Sequence, residues 1–487
     1  MGSIGHMKVS STALSATRAR FETPALPGPD RVAQAHTALE IEFARRCPNS
    51  VLLHERAQRV MPGGVSHDNR RVGGPSLFIS KARGARKTDK DGHNYIDYWI
   101  GHGSLLLGHG RREIIEAIHL AAQDCTHPGA CHEREVLWAE KVKALIPSAD
   151  RVRFTASGSE SSALAVRLAR AMTKKNVIVK FDGHFHGWLD HAVQAVDLPF
   201  DLPFSAGVPQ QVRDLTLTLP ARNLEAVDEL LNSRDDIAAI ILEPTGASGG
   251  SIPIRPDFLR GLRDLTIRHR VALIFDEVIT GFRIAPGGAQ QRYNILPDIT
   301  CLAKVLAGGM PGGAVCGSHE AFAAMEFSGD SKKDRLRRVT QYGTYNASPV
   351  SAAAGTAMLG MINDDVCKRA EANAGRLRHG LNTLFEKEGL PWAAYGISSV
   401  FHILTSDACV GTSLRDGTLD AADADPVVLK QKGPLDGLLR RALQLDGVDL
   451  PPGRQAWVST AHTNGEIEET LAAFSRAISR LRTLNVL

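Results

Sequence analysis

The middle of the chain alternates short apolar runs with amphipathic stretches. Residues 152–155, 177–181, 237–242 and 271–275 are apolar or β-branched apart from Arg153 and Lys180, close to the pattern of strands buried on both faces. Between them lie segments of helical spacing, such as the one that puts Ala165, Leu168, Ala169 and Met172 on a single side. Strand and helix in alternation predict an α/β fold, a mostly parallel central sheet wrapped by helices. Ligands of such sheets sit beyond the carboxyl ends of the strands. The polar residues that follow each apolar run are therefore the ones that bear on function.

The texture changes on either side, with helices predicted around 51–60, 352–362, 367–386 and 466–481. The expected division places residues 93–349 in a large ligand-binding domain. Residues 31–92 and 350–487 then contribute to a smaller α+β lobe. Residues 405–434, rich in Gly, Asp, Ala and Ser, read as a mobile surface insertion. Residues 1–30 read as a flexible extension whose Met1 to Met7 resembles an expression-vector remnant.

A chain of 487 residues ordinarily divides into more than one lobe, which favours a cleft. Net charge is only +4, with no basic stripe interleaved with aromatics, so neither nucleic acid nor a membrane surface is an expected partner. No apolar run approaches the roughly 20 residues needed to span a bilayer. The cysteines at 47, 125, 131, 301, 316, 367 and 409 are scattered. Reduced thiols in a cytoplasmic protein are the simplest account, and no pair has metal-knuckle spacing.

Four strand-end clusters carry candidate chemistry. Asp276 directly follows the run 271–275; an acid there either caps the next turn or sits beside a ligand. In an extended segment Asp276 and Val278 point the same way, so one can pair with a ring nitrogen while the other packs on the ring face. A carboxylate near a pyridine nitrogen keeps it protonated and able to accept electrons. Lys304 ends a second strand-like piece, 298–303, and precedes the glycine-rich stretch 307–313. That lysine is either solvated surface or a desolvated, reachable amine suited to a Schiff base. Ser157, Gly158 and Ser159 lie between a strand and a helix, as an ordinary N-cap or as a phosphate site. In the stretch 181–188, His184 and His186 lack an accompanying Cys or Asp cluster at ligand spacing, so no metal is expected. Phe185 reads as an aromatic plate for a planar cofactor. No dinucleotide or Walker-type glycine motif is present.

From Arg59 to Leu481 the chain resembles the class III aminotransferases, specifically their glutamate-1-semialdehyde 2,1-aminomutase-like branch. The most specific matches are the stretch from Asp276 to Arg283, and Leu302-Ala303-Lys304 followed by Gly308-Gly309-Met310-Pro311. The resemblance implies a fold type I transferase dependent on pyridoxal 5'-phosphate (PLP). It implies that Lys304 forms the covalent imine and shuttles the substrate proton, and that Asp276 pairs with the pyridine nitrogen. Val278 and Phe185 would sandwich the ring; Ser157, Gly158 and Ser159 would hold the phosphate; His186 would also contact the cofactor. Glu243 would lie near the cofactor hydroxyl. Gly343 and Thr344 match a segment that reaches the phosphate from the neighbouring subunit of a homodimer with shared active sites.

Substrate selection departs from the branch. Arg70 stands where relatives place an arginine that grips a substrate carboxylate, with Arg71 a neighbouring contender. Arg454 falls in the region where the aminomutase has a glutamate, and an arginine attracts a carboxylate and repels an amino group. The sequence therefore predicts transamination between a carboxylate-bearing, β-type amino donor and an oxo-acid acceptor. Intramolecular 2,1-aminomutase activity is the alternative, and a catalytically silent PLP-fold binding protein a second one.

Overall fold

The predicted apolar runs become neighbouring strands of one sheet. In the computed structural model, residues 28–405, 424–452 and 455–487 are described. In chain order the strands are β1 (Ile79–Arg83), β2 (Arg86–Asp89), β3 (Asn94–Asp97), β4 (Arg151–Thr155), β5 (Val177–Phe181), β6 (Thr216–Leu219), β7 (Ile237–Leu242) and β8 (Ile252–Pro253). They continue as β9 (Ala272–Asp276), β10 (Ile299–Leu302), β11 (Gly313–Gly317), β12 (Ala393–Tyr395), β13 (Val400–Leu404), β14 (Val448–Asp449) and β15 (Gln455–Trp457).

The central sheet has the order β4-β11-β10-β9-β7-β5-β6. Its strands pair in parallel from β10 through β6, and β11 runs antiparallel to both β10 and β4. β5, β7, β9 and β10 are buried at every position, as strands covered by helices on both faces must be. The helix Gly158–Thr173 covers one face through Leu164, Ala165, Leu168 and Ala169. Pro256–His269 packs through Phe258, Leu259 and Leu262 into a second core. Because β4, β5, β7, β9 and β10 share one direction, the loops after them emerge on one edge, where ligands of such sheets bind.

Chain ends meet elsewhere. β14 pairs in parallel with β3, and the helices Pro29–Arg46, Asp364–Lys387, Asp436–Leu445 and Asn464–Thr483 share a core with Ile96, Tyr98 and Phe401. Pro349–Met361 instead joins the core beneath β10 and β11, through Ala352, Ala354 and Met358.

Two expectations change. The segment after β9 does not stay extended: it turns at Glu277, whose carboxylate accepts from Ala289 N, Gln290 N and Thr280 Oγ1. Val278 therefore lies in a turn. Of the stretch 405–434, residues 406–423 lie outside the described residues, but 426–430 form a packed helix with Leu429 fully buried. Its apolar run, Val427-Val428-Leu429, is short and set among polar residues. Among the described residues, no helix is long and apolar enough to cross a membrane.

Candidate active site

The loops at the carboxyl edge bring five segments together. Asp276, the last residue of β9, is 4 % exposed. Its Oδ2 lies 2.8 Å from His186 Nδ1, and its Oδ1 accepts the Val278 amide at 3.1 Å. Burial holds His186 well below its ordinary pKa, so the ring is neutral and donates Nδ1–H to the carboxylate. Burial also raises Asp276 to about 6, an effect that the Val278 amide and the charge of Lys304 only partly oppose. The carboxylate thus has hydrogen bonds but no cation in contact.

Lys304 follows β10 as the first residue of a short 3-10 turn, Lys304–Ala307. Its φ of 50° lies in the left-handed region, which costs a non-glycine residue about 1–3 kcal/mol and is tolerated where packing enforces it. In the same turn, the Trp138 indole N–H donates to the Leu306 carbonyl at 3.1 Å. Burial lowers the Lys304 amine, against the raising charges of Asp276 and Glu243. A lowered amine pKa is the direction that nucleophilic or base chemistry requires.

Ser157 is the N-cap of Gly158–Thr173, and its hydroxyl accepts the Glu160 amide at 3.3 Å. Its side chain is thus engaged in the cap. Gly158 presses against the site: a Cβ there would lie 3.1 Å from both methyls of Val278 and 3.4 Å from Ala303 Cβ, next to Lys304. Val278, Gly158 and Lys304 therefore converge despite the turn at Glu277. Gly187 crosses just above Ser159, where a Cβ would come within 2.6 Å of its hydroxyl.

The 183–187 loop is fixed from beneath by Lys180, buried on β5, which donates to the carbonyls of His184, Ala192 and Gln194. Phe185 is 41 % exposed, with its amide donating to Glu243 Oε1 at 3.0 Å. Glu243 also accepts from Ser248 N at 2.8 Å and Gly249 N at 3.1 Å. Burial, then the charge of Asp276, pushes Glu243 up to about 7. Its oxygens are occupied in holding two loops.

Arg70 is exposed on the turn Asp68–Arg70, with Nη1 donating to Ser66 at 3.0 Å. It belongs to the electrostatic neighbourhood of the site: Arg70 and Lys304 both depress His67 and His102, after the larger effect of burial. Gly343 and Thr344 lie on an exposed segment with Tyr342 and Tyr345. Arg454 lies outside the described residues. Sequence reasoning missed several polar atoms here: Trp99 Nε1, His102 Nε2 and Gln455 Nε2 are buried with no hydrogen-bond partner. Gln455 Nε2 is 2.9 Å from where a Gly249 Cβ would stand. The available signal was weak, a Trp-Ile-Gly-His-Gly run in which both Ile100 and His102 take positive φ.

The family model for Aminotransferase class-III matches residues 68–391, well over half of the chain. The chain belongs to the class III aminotransferases. A glutamate-1-semialdehyde 2,1-aminomutase of Akkermansia muciniphila is 36 % identical over 442 residues, covering 89 % of this chain and 99 % of that protein. A solved transaminase with PLP bound is 29 % identical at a TM-score of 0.80, covering 90 % and 98 % of the two chains. The β-phenylalanine aminotransferase of Variovorax paradoxus is 27 % identical at a TM-score of 0.78, covering 93 % and 98 %. This class III enzyme has a fold type I architecture and depends on PLP. The residues present fit that group: a buried carboxylate without a contacting cation, an amine of lowered pKa, and a helix start where a side chain on Gly158 would clash.

Proposed function

We propose that the enzyme moves an amino group between neighbouring carbons of one carboxylate-bearing substrate, as a 2,1-aminomutase of the glutamate-1-semialdehyde type. The observation that carries this choice is the 36 % identity along almost the whole length of such an aminomutase. It reverses the order of preference drawn from Arg454, which had favoured transamination.

In this reading Lys304 holds the cofactor covalently, and its Nζ takes the proton from the substrate carbon and returns it. PLP, when bound, supplies a sink for the electron pair left as that C–H bond breaks. Asp276 pairs with the protonated ring nitrogen, and His186 fixes the carboxylate's orientation by its Nδ1–H. Val278 and Phe185 bound the ring's faces, while Glu243 holds the Phe185 backbone and the loop beside the cofactor hydroxyl. The amides and hydroxyls of Ser157, Gly158 and Ser159 receive the phosphate at the helix start. Gly343 and Thr344, exposed in one chain, serve the phosphate of a second copy in a homodimer. Arg70 meets the substrate carboxylate as a two-pronged donor.

Transamination is the second reading. Gln455 favours it, because a neutral, unpartnered amide beside Gly249 offers an amino group no anion to hold it in place between two half-reactions. The likeness to a β-phenylalanine aminotransferase agrees. Incubation of glutamate-1-semialdehyde with ¹⁵N-labelled enzyme-bound nitrogen decides between them. Label retained in a rearranged product supports the mutase, whereas label passed to a separate oxo acid establishes transamination. Lys304→Ala should lower either turnover by at least about 10²–10⁴-fold; normal turnover in that variant rejects both readings.

A further inference from the structure

We propose that Cys47, Asp89 and His93 form a structural zinc site that joins the first two helices to the β2–β3 turn. Cys47 is the single residue between the helices Pro29–Arg46 and Pro48–Gln58; Asp89 ends β2, and His93 lies just before β3. Cys47 Sγ is 3.6 Å from Asp89 Oδ2 and 3.9 Å from His93 Nδ1, and those two are 3.1 Å apart. Zinc binds sulfur at about 2.3 Å and nitrogen or oxygen at about 2.0–2.2 Å, which sets tetrahedral donors roughly 3.3–3.7 Å from one another. Three donors from two distant places in the sequence therefore already stand within a few tenths of an ångström of that triangle.

The donor types agree with the ion. One thiolate, one imidazole and one carboxylate form a borderline-soft set that suits zinc better than calcium or magnesium, which take oxygen. Supporting contacts hold the donors as an outer shell does. Asp89 Oδ1 accepts the amides of Asp91 at 2.9 Å and His93 at 2.8 Å, and Tyr95 donates its hydroxyl to Oδ2 at 2.8 Å. Asp91 in turn accepts the amides of Asn49 and Ser50, pinning the helix that starts beside Cys47. The charged neighbours that act on the thiol, Asp89 and Asp91, are both anionic. A dication reverses that field. Binding releases the thiol proton to solvent and leaves the imidazole proton on Nε2, so thiolate and carboxylate balance the ion's two charges. The His93 side chain is 29 % exposed, so a water is the ligand to complete the fourfold shell that zinc takes.

The sequence offers only half of this pattern. Asp89 and His93 are four residues apart, but Cys47 is remote, and a search for paired cysteines passes over it.

The test uses the full-length PLP-loaded enzyme, stripped with a chelator and dialysed into metal-free buffer. Titration with zinc against a competing dye should show one tight site per chain. Cobalt in its place should give a thiolate-to-cobalt absorbance band. Cys47→Ser should abolish the band, and His93→Ala should weaken zinc at least about 100-fold while the PLP absorbance stays intact. His93→Ala also decides the matter if Cys47→Ser fails to fold. Zinc should raise the Tm of the wild type alone. Absence of the cobalt band, or zinc affinity unchanged in His93→Ala, overturns the proposal and leaves a hydrogen-bonded Cys-Asp-His cluster.

Discussion

Asp276 and Asp97 make an instructive pair. Both are buried aspartates that end a strand, β9 in the seven-stranded sheet and β3 in a four-stranded one, and burial is the largest influence on each. Their outcomes are opposite. Asp97 accepts Lys87 Nζ at 2.8 Å, lies 2.7 Å from His109 Nε2, and takes the amides of Trp99 and Ile100. Lys87 bridges on to Asp449 of β14 at 2.6 Å. The charge and hydrogen bonds of Lys87 and His109 overcome the burial effect, so Asp97 is held well below the usual carboxylate range. Asp276 has a neutral imidazole and one amide, and stays above it. A carboxylate whose charge the fold has already neutralised is structural; one that the fold has oriented but left without a contacting cation is prepared for a ligand that brings one.

Exchanging each acid for its amide gives the largest expected contrast. Asp276→Asn should lose about 10²–10³-fold in turnover, with Tm unchanged or higher because a costly buried charge is gone. Asp97→Asn should instead lose about 1–3 kcal/mol of stability, since it leaves His109 without its acid and Lys87 with Asp449 alone, while folded protein keeps turnover within about tenfold. Thermal melts beside initial rates separate the two, and matching losses in both assays would erase the distinction.

The same contrast has a pH signature in protein freed of cofactor. Asp276 has a folded pKa raised from 3.8 to about 6, so its ionised form costs stability above that range. The cost is relieved as pH falls from about 6 toward 4, because the folded state binds the proton first. Asp97, with its pKa lowered, contributes stability above its ordinary value and loses it as pH falls below about 4. Denaturant titrations should therefore show Asp276→Asn removing a gain between pH 6 and 4, of order 1–3 kcal/mol. Asp97→Asn should leave that gain in place.

A smaller effect belongs to substrate binding. Arg70→Ala should raise KM by about 10–100-fold for a carboxylate-bearing substrate, the loss of one charge-assisted contact of about 1.5–3 kcal/mol. An amine without a carboxylate should be unaffected. Equal effects on both substrates would return Arg70 to the surface.

Much of this was legible in the chain itself. The runs at 177–181 and 237–242 coincide with β5 and β7, because strands buried on both faces are mostly apolar, Lys180 on β5 being the exception whose amine is satisfied by three carbonyls. The rule that ligands sit beyond strand ends then selected Asp276, Lys304, Ser157–Ser159 and the 183–187 loop. What the chain hid was the set of contacts made between distant segments. The bond from His186 to Asp276 spans ninety positions, and the turn that carries Lys304 is tied to Trp138 across 168. Gln455 enters only because β15 is laid against β13. The turn at Glu277 was hidden for the same reason, since its buried carboxylate is satisfied from 289 and 290.

The claim at the centre is that Asp276 supplies the negative charge that keeps the cofactor's ring nitrogen protonated. Loading wild type and Asp276→Asn with PLP labelled with ¹⁵N at that nitrogen and recording its NMR shift measures the proton directly. A pyridinium shift in the wild type, replaced by that of neutral pyridine in the variant, is the expected result. The same shift in both proteins would contradict the account.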